Sequence, residues 1–259
     1  MGDTDMKKYV VYTALFGGYD VLRSPRLLDP ECDYVCFSDD PLLKSDVWDV
    51  RYVSSQSGAQ LTNRHYKFFP HVYLGEYAAS VYIDTNIELL NSPIGLIHIA
   101  LNSADMCCAR HPLRNCSYEE VRACREDGKI SGDEADLLIG RLEAAGFPAD
   151  QGLFENNVIV RNHRSEAVAT LMQAWWEMFE AGPRRDQLSL PYLAWLSGTR
   201  VHALTDASTR TGGKLFRYHL HSSCADLPFL RRRWLTWKAR HLDTKTFRFL
   251  SAFRSALAR

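Results

Sequence analysis

Residues 79–86 read Ala79-Ser80-Val81-Tyr82-Ile83-Asp84-Thr85-Asn86, and this stretch decides the fold that we expect. Its first part is apolar and rich in strand-forming side chains, which predicts a buried strand from Ser80 to Asp84. The strand ends in a carboxylate, and the carboxamide of Asn86 follows two residues later. In open α/β sheets the ligand crevice lies beyond the carboxyl ends of the strands, so we expect Asp84 and Asn86 to face a ligand. The alternative is an Asp that only forms a turn or caps a helix.

Five further runs on both sides of this segment have the composition of strands. They are Tyr9 to Leu15, Tyr34 to Ser38, Val47 to Val53, Met106 to Arg110 and Asn157 to Arg161. Longer segments with helical periodicity separate them, and this alternation predicts an α/β sheet. The runs Val10-Val11 and Val158-Ile159-Val160 are apolar throughout, which is typical of central strands covered on both faces.

The clearest amphipathic helix lies in the second half of the chain and ends at the stop signal Gly182-Pro183. Its apolar residues recur at spacings of three and four: Val168, Leu171, Met172, Trp175 and Phe179. Trp175 and Trp176 suggest a sugar-stacking platform, but the spacing places Trp175 in the core. Two Ser-x-x-Glu patterns, at Ser117 and Ser131, predict capping boxes at the starts of two more helices.

The composition is that of one ordinary globular domain, since 46% of the 259 residues are hydrophobic and 24% are charged. The formal net charge is +0, yet from Phe229 onward nine Lys or Arg residues stand against one acid, Asp243. Trp and Phe side chains interleave with these cations, which predicts a basic amphipathic helix. We therefore divide the chain into residues 1–228 and a basic aromatic helical tail, residues 229–259. The tail either contacts an anionic membrane surface or packs its aromatic side chains on the body.

The segment Met1 to Lys8 is polar and lacks the apolar stretch of a secretory signal, and no part of the chain is apolar for long enough to span a bilayer. We expect a cytoplasmic protein, peripheral on the inner face of the membrane if the tail binds lipid. The seven cysteines do not fall into paired C-x-x-C spacing, so we expect ordinary thiols rather than a zinc knuckle or disulfides. No nucleic-acid partner is expected.

A dense polar and cationic segment, Asn63-Arg64-His65-Tyr66-Lys67, precedes the central strand. It lies on a predicted helix that Pro70 disrupts, and Arg64 and Lys67 are three residues apart, on one face. Such a face suits a diphosphate, because cationic side chains form charge-assisted hydrogen bonds with phosphate oxygens. The alternative is a solvated helix surface.

Two polar segments follow the central strand. Glu155-Asn156-Asn157 stands immediately before an apolar strand, where these side chains could grip sugar hydroxyls or simply form a turn. Arg184-Arg185-Asp186-Gln187 precedes a further helical run. Asp186 is a candidate for contact with an acceptor hydroxyl or for a general base, and its alternative is a helix N-cap.

Residues 216–221 read Phe216-Arg217-Tyr218-His219-Leu220-His221 and alternate in the manner of a strand. The alternation directs His219 and His221 to the same side, where a histidine can complete a metal site that a carboxylate begins. The alternative is a pair of surface or structural histidines.

Six segments in chain order carry a family resemblance: Tyr12-Thr13-Ala14-Leu15-Phe16-Gly17-Gly18-Tyr19-Asp20, Tyr34-Val35-Cys36-Phe37-Ser38-Asp39-Asp40, Asn63-Arg64-His65-Tyr66-Lys67, Tyr82-Ile83-Asp84-Thr85-Asn86, Glu155-Asn156-Asn157 and Arg184-Arg185-Asp186-Gln187. With them the chain resembles the glycosyltransferase-like family whose plant members are called TOD and MUCI proteins, itself similar to GT-A transferases. The resemblance runs from Tyr9 to about His221. It implies a GT-A type, Rossmann-like mixed sheet flanked by helices.

The resemblance also implies which residues contact the donor, a nucleoside diphosphate sugar. They are Thr13, Ala14, Tyr19, Asn63, Arg64, Lys67, Asp84, Thr85, Asn86 and Gln187. Within this set the segment from Thr13 to Tyr19 would hold the base and ribose, and Gly17 and Gly18 would allow close backbone approach. Asp84-Thr85-Asn86 would be the counterpart of the Asp-x-Asp motif of these transferases.

The expected reaction is transfer of a hexose or a related sugar to a hydroxyl of a glycan or lipid-linked saccharide acceptor, in surface polysaccharide synthesis. The candidate catalytic residues are Asp186, Glu155 and Asn157, with either acid as the base of an inverting route. A retaining route could dispense with a strong base, and the sequence leaves the stereochemistry open.

A divalent cation, Mn²⁺ or Mg²⁺, is the expected cofactor, and its candidate ligands are Asp84, Asn86, His219 and His221. Asn86 replaces the second acid that is usual in metal-dependent members of such families. Arg64 and Lys67 are therefore the alternative source of positive charge for the departing diphosphate.

Two other functions remain open. Some plant relatives have been linked to hydrolysis of a lipid amide, and Asp84, His219 and His221 would then have to bind zinc, although the chain has no His-Glu-x-x-His motif. The third is a non-catalytic module that binds a carbohydrate or nucleotide without turning it over.

Overall fold

The computed structural model describes residues 8–205, 208–211, 213–242 and 244. A mixed sheet of seven strands forms its centre. Its strands are β1 (Tyr9–Leu15), β2 (Cys32–Ser38), β3 (Asp49–Tyr52), β4 (Ala79–Ile83), β6 (Met106–Arg110), β7 (Phe154–Asn162) and β8 (Val201–Ala203), and a separate antiparallel pair consists of β5 (Ile87–Leu89) and β9 (Phe216–Tyr218). The strand order of the large sheet, β3-β2-β1-β4-β7-β6-β8, confirms the predicted α/β mixed sheet.

The two apolar runs form inner strands, as predicted. β1 lies between β2 and β4, is parallel to both and is buried along its whole length. β7 lies between β4 and β6 and is antiparallel to both. The predicted strand ends are close to those observed, although β2 and β7 begin earlier, at Cys32 and Phe154.

Eight α-helices in the described residues cover the sheet: α1 (Ala59–Phe68), α2 (Pro70–Tyr73), α3 (Pro93–Leu101), α4 (Ser117–Glu126), α5 (Gly132–Ala144), α6 (Glu166–Ala181), α7 (Leu190–Ser197) and α8 (Phe229–Arg240). Side chains of a strand alternate between the two faces of the sheet. Val10 and Tyr12 accordingly pack in one core with α1 and α4 to α7. Tyr9 and Val11 pack in the other core with α3 and the β5–β9 pair.

The predicted amphipathic helix is α6. The hydroxyl of Ser165 accepts a hydrogen bond from the Val168 N–H, and the helix ends before Gly182. Trp175 is fully buried, and its ring stacks on that of Phe68 in α1 with the centroids 4.1 Å apart. Its predicted place in the core is confirmed.

One of the two predicted capping boxes forms. Ser131 Oγ accepts from the Glu134 N–H at 3.2 Å, and the Glu134 carboxylate accepts from the Ser131 N–H at 2.7 Å. The prediction at Ser117 is wrong, because this residue is already the first of α4 and Glu120 forms an ion pair with Arg114 instead. A guanidinium is a stronger partner for a carboxylate than a backbone N–H.

The tail begins as a helix, as predicted. In the last turn of α8, Ala239 is buried in the core and the Arg240 guanidinium donates to the Tyr218 carbonyl at 2.8 and 3.0 Å. Phe229 and Leu230, in the first turn, are 67% and 78% exposed. Residues 245–259 of the tail lie outside the described residues, so the division of the chain at residue 228 stays a prediction.

All seven cysteines are thiols, and six of them are buried, as expected for a chain without a disulfide framework. Over the described part of the chain, no helix has both the length and the apolar character needed to cross a membrane.

Candidate active site

Three strand ends meet at one edge of the sheet. Because β1 and β4 are parallel and β7 is antiparallel to β4, the carboxyl ends of β1 and β4 lie beside the amino end of β7. The Asp84 N–H donates to the Asn157 carbonyl at 2.8 Å. Segments 84–86 and 155–157, which the sequence marked separately, are therefore in direct contact.

Helix α1 brings two cations to this edge. Lys67 is only 1% exposed, and its Nζ lies 2.7 Å from Asp186 Oδ2 and 3.8 Å from Asp84 Oδ1. Arg64 Nε lies 3.4 Å from the same Asp186 oxygen. The face that carries Arg64 and Lys67 is thus directed at two carboxylates, and the alternative of a solvated helix surface is wrong.

Hydrogen bonds to β1 hold α1 in this position. The Tyr12 hydroxyl donates to the Lys67 carbonyl at 2.9 Å, and Asn63 Nδ2 donates to the Ala14 carbonyl at 2.6 Å. Asn63 Oδ1 in turn accepts from Arg64 Nη1 at 2.7 Å. Asn63, a predicted donor-binding residue, therefore links the helix to the strand and orients Arg64.

Asp186 is fixed from both sides. The Trp175 indole donates to the backbone carbonyl of Asp186 at 3.0 Å. The Asp186 carboxylate pairs with Lys67 and Arg64. Burial alone would raise the pKa of Asp186, but Lys67 and Arg64 lower it to about 2. A carboxylate of so weak a basicity accepts a proton poorly at neutral pH. The alternative of a helix cap is wrong, because α7 begins only at Leu190.

Asp84 is the carboxylate that reaches the crevice, with its side chain 22% exposed. The Tyr82 hydroxyl donates to Asp84 Oδ1 at 2.6 Å, and burial together with the Asp84 charge raises the pKa of Tyr82 well above its usual value. Partial burial and the same charge raise the pKa of Tyr19 to about 12. Both tyrosines therefore stay protonated beside Asp84.

Asn86 and Asp84 provide the oxygen atoms that a hard cation prefers. The Oδ1 atom of Asn86 is buried and has no hydrogen-bond partner among the described residues, whereas its Nδ2 donates to the His219 carbonyl at 3.3 Å. A buried oxygen without a partner is unusual, since such groups are nearly always satisfied. Asn86 Oδ1 thus fits the role of a cation ligand.

The two candidate histidines bind different carboxylates. His221 Nδ1 lies 2.7 Å from Asp20 Oδ2, an arrangement that orients the ring as in many metal-bound histidines, and its ring lies 5.6 Å from that of Tyr19. His219 Nε2 instead lies 2.8 Å from Glu88 Oε2. The strand alternation that would align the two rings does not reach them, because β9 ends at Tyr218.

The structure corrects the predicted metal site in one respect. Over residues 8–205, 208–211, 213–242 and 244, no three His, Cys, Asp or Glu side chains gather as a metal centre. The four predicted ligands therefore do not form one preformed site: Asp84, Asn86, His219 and His221. The same absence leaves a zinc hydrolase without a visible ligand set, since catalytic zinc normally takes three protein ligands.

The first residues of β7 take part in a buried polar network. Glu155 forms an ion pair with Arg210 and accepts from the Thr209 hydroxyl at 3.3 Å. Asn157 Nδ2 donates to Thr209 Oγ1 at 2.8 Å, and Gln187 Nε2 donates to the Glu155 carbonyl at 3.2 Å. Three predicted site residues, Glu155, Asn157 and Gln187, are thus brought together, but the Glu155 carboxylate is already paired with a cation.

Asn156, which we named only as part of its segment, is the most unusual residue of the site. Its side chain is fully buried, and neither the Nδ2 nor the Oδ1 atom has a partner among the described residues. Its φ of 51° places the backbone in the left-handed region, at a cost of about 1 kcal/mol. No pattern in the sequence distinguishes Asn156 from its neighbours. Its unpaired amide and the shift in register between β6 and β7 are seen only in the fold.

The loop after β1 requires glycine. Gly17 has a φ of 70°, and a Cβ there would lie 2.8 Å from Ala59 Cβ in α1. Its N–H donates to both Asp39 carboxylate oxygens, at 2.8 and 3.1 Å. Of the predicted nucleotide residues beside this loop, Thr13 and Ala14 are buried, and Thr13 Oγ1 has no partner in the described part of the chain.

A cavity of about 490 Å³ opens beside the same loop. Gly18, Asp20 and Leu22 line it, together with Ser38 at the end of β2 and Asp40 just beyond the strand. The volume falls in the range of about 300–1,000 Å³ that small-molecule sites occupy. Space for a ligand therefore adjoins the loop that the sequence assigns to the base and ribose.

The chain is similar to one protein family and to solved structures of glycosyltransferases. The family model described as TOD1/MUCI70, glycosyltransferase-like domain, matches residues 46–205, which include Lys67, Asp84 and Asp186. The apo form of mouse xyloside xylosyltransferase 1 is similar in structure, with a TM-score of 0.42, 12% identity and coverage of 74% of this chain and 84% of that one. The glycosyltransferase GlyE of Streptococcus pneumoniae TIGR4 has a TM-score of 0.47 and 13% identity, with coverage of 90% and 60%. No curated protein matches the sequence.

Proposed function

Because the chain belongs to the TOD1/MUCI70 family of glycosyltransferase-like domains, we propose that it transfers a sugar from a nucleoside diphosphate donor to a hydroxyl of a glycan or lipid-linked saccharide. We propose a hexose as the sugar and surface polysaccharide synthesis as the setting. One observation carries the proposal: Lys67 and Arg64 lie between Asp84 and Asp186 at the edge where three strand ends meet.

The two cations suit a departing nucleoside diphosphate, on which negative charge develops as the glycosidic bond breaks. Lys67 is held in place by Asp186, so it does not have to be ordered when the donor binds. The Arg64 side chain is 24% exposed and can reach phosphate oxygens in the crevice. Preorganised charges of this kind stabilise a transition state more than mobile ones do.

A divalent cation, Mn²⁺ or Mg²⁺, fits beside these residues in our proposal. Asp84 and the unpartnered Asn86 Oδ1 would hold it, with His221 as the further ligand, because Asp20 already orients that ring. When bound, the ion would neutralise part of the diphosphate charge. His219 is the weaker candidate, because Glu88 already binds its Nε2.

Asp186 acts, in this proposal, as a positioning residue for Lys67 and Arg64 rather than as a base. The low pKa of Asp186 makes it a poor proton acceptor. Burial raises the pKa of Glu155, but its ion pair with Arg210 occupies that carboxylate. This arrangement supports a route that needs no strong protein base.

Release of nucleotide from a panel of sugar nucleotides, with Mn²⁺, Mg²⁺ or EDTA, tests the proposal. We expect turnover with at least one donor and a decrease in kcat of about 100- to 1,000-fold for Asp84→Ala and for Lys67→Met. Lys129→Met, at a surface ion pair with Asp127, is the matched control and should leave kcat unchanged. Near-normal turnover by folded Asp84→Ala would sink the assignment, and binding without turnover for every donor would favour a non-catalytic module.

We also propose that α8 places the protein on an anionic membrane surface, on the inner face of the membrane. Its exposed side chains include Leu230, Trp234 and three consecutive arginines, residues 231–233. Apolar side chains flanked by cations are typical of helices that lie in the membrane interface. Because Ala239 in the last turn is buried and the first turn is exposed, the proposal assigns packing on the body and contact with lipid to different turns of the same helix.

A further inference from the structure

A second cavity lies against the face of α1 opposite to Arg64 and Lys67. Its volume is about 260 Å³, close to the lower end of small-molecule pockets, about 300 Å³. Four segments wall it: the loop after β3 with Gln56, α1 with His65, α2 with Tyr73, and α6 with Trp176 and Glu180. None of the predicted site residues lines this cavity.

Aromatic rings in fixed positions form one part of the wall. The rings of His65 and Trp176 are nearly perpendicular, at 83°, with their centroids 4.9 Å apart. Tyr73 stacks on Tyr66 at 4.2 Å, and its hydroxyl forms a hydrogen bond with His65 Nδ1 at 2.9 Å. Burial lowers the pKa of His65, so its ring is neutral at pH 7. The aromatic wall is therefore preorganised and uncharged.

Polar side chains form the other part of the wall. The side chains of Gln56 and Glu180 are exposed and make no hydrogen bond or ion pair with another described residue, and the indole N–H of Trp176 makes none either. Thr62 also lines the cavity, but its hydroxyl already donates to the Gly58 carbonyl at 3.0 Å. The side chains of Gln56, Glu180 and Trp176 thus line the same small space as the rings of His65 and Tyr73.

We propose that this cavity binds a neutral sugar unit of a glycan, at a subsite separate from the one that holds the donor. Aromatic rings pack against the apolar C–H face of a sugar, while the amide, carboxylate and indole N–H bind its hydroxyls. The negative charge of Glu180 disfavours a uronic acid or another anionic sugar. A quaternary ammonium ion would also suit aromatic rings and a carboxylate. It has no hydrogen-bond donor or acceptor, however, and would leave the surrounding polar groups unpaired.

The cavity lies against the same helix, α1, that carries Arg64 and Lys67. α1 carries Arg64 and Lys67 on one face and His65 on the other, so a glycan held here packs on the helix that contacts the donor site. A unit of the acceptor other than the one that is modified would then bind in this cavity. That role rests on the proposed transferase function, whereas sugar binding itself does not.

Binding of free oligosaccharides to the full chain tests the proposal without requiring catalysis. The probes are tetrasaccharides of β-1,4-glucan, α-1,4-glucan and β-1,4-galactan, the tetramer of galacturonic acid, and tetramethylammonium, measured by saturation-transfer NMR and calorimetry. We expect at least one neutral tetramer to bind and the acidic tetramer to bind more weakly. The double variant Gln56→Ala, Glu180→Ala should raise the Kd about tenfold, because two hydrogen bonds are lost.

A matched control is available on the same helices. Gln60 and Glu177 are exposed on α1 and α6 and do not line the cavity, so Gln60→Ala, Glu177→Ala should leave the Kd unchanged. Equal weakening by both double variants, binding of tetramethylammonium alone, or no binding of any neutral tetramer would each overturn the proposal. Nucleotide release from the donor is measured independently, so its absence would contradict the transferase function and leave the binding result intact.

Discussion

At the residue scale, the site is organised around one buried ion-pair network. Lys67 is nearly inaccessible to water, and a buried ammonium without a partner would be strongly unfavourable. Asp186 and Asp84 offset its desolvation, and Asp186 serves Arg64 as well. Networks of this kind often cost as much as they contribute to stability, so this one is weak evidence for a stabilising role. What it does provide is a positive charge in a fixed position at the crevice.

This network predicts a specific dependence of stability on pH. The folded pKa of Asp186 lies at about 2, below the usual value of 3.8, so the charged form stabilises the fold above pH 4 and that contribution is lost as the pH falls toward 2. We expect Asp186→Asn to lower the free energy of unfolding by about 2–4 kcal/mol at pH 7, because it removes the carboxylate that pairs with Lys67 and Arg64. Urea unfolding at pH 7, 5 and 3 measures this difference.

The expected difference is constant between pH 7 and 5 and smaller at pH 3. Asp136→Asn is the control, since Asp136 pairs with Arg125 on the surface, where an ion pair contributes about 0–1 kcal/mol. A difference that shrinks already between pH 7 and 5, or equal effects of the two variants, would contradict the assigned pKa of Asp186.

At the element scale, the two ends of α8 differ in their exposure. Its last turn is fixed to the body through Ala239 and Arg240, whereas Phe229, Leu230 and Trp234 are exposed. An anionic surface attracts each nearby cation by about 1 kcal/mol. Arg231→Gln with Lys238→Gln should therefore weaken binding to phosphatidylserine liposomes about thirtyfold.

Liposome co-sedimentation at low and high salt measures this effect. Binding should fall as salt screens the cations, and vesicles of phosphatidylcholine alone should bind weakly. The control Arg122→Gln with Arg141→Gln removes two exposed cations from α4 and α5 and should leave binding unchanged. Undiminished binding by the α8 variant would favour the interpretation in which the tail only packs on the body.

Elements with strong local patterns could be predicted from the sequence, and contacts between them could not. The spacing of residues 168–179 identified α6, and the apolar run before Asp84 identified β4, because burial of one helical stripe or of a whole strand leaves a periodic pattern. The capping box predicted at Ser117 does not form, because Glu120 pairs with Arg114 instead and the local sequence pattern does not show this partner.

The same distinction applies to the site: the residues could be predicted, but the contacts between them could not. Arg64, Lys67 and Asp84 were predicted as candidates from residue type and position, but their ion pairs with Asp186 exist only in the fold. The alignment of His219 and His221 was expected from alternation, which fails because the strand is short. Asn156 was indistinguishable from its neighbours, because its buried, unpaired amide results from backbone geometry at the start of β7.

At the scale of the whole molecule, the site draws on segments from the entire chain: residues 13–20, 63–67, 84–86, 155–157, 186–187 and 208–211. No unfolded chain presents these groups together, so a ligand of the site binds the native state alone. A ligand with this preference raises the stability of the whole domain in proportion to the logarithm of its concentration over Kd.

Stabilisation of the native state by a bound nucleotide can therefore identify the donor. At about one hundred times its Kd, the matching nucleoside diphosphate should add about 2.7 kcal/mol, which raises the Tm of a domain of this size by about 5–10 °C. UDP, GDP, ADP and CDP with Mg²⁺ or Mn²⁺ form the panel, and thermal unfolding is the measurement. Lys67→Met and Asp84→Ala should lose the shift, whereas Lys129→Met should keep it, since Lys129 lies at a surface ion pair. Equal shifts from all four would mean that only the diphosphate is recognised, and no shift from any of them would contradict a nucleotide site at this edge of the sheet.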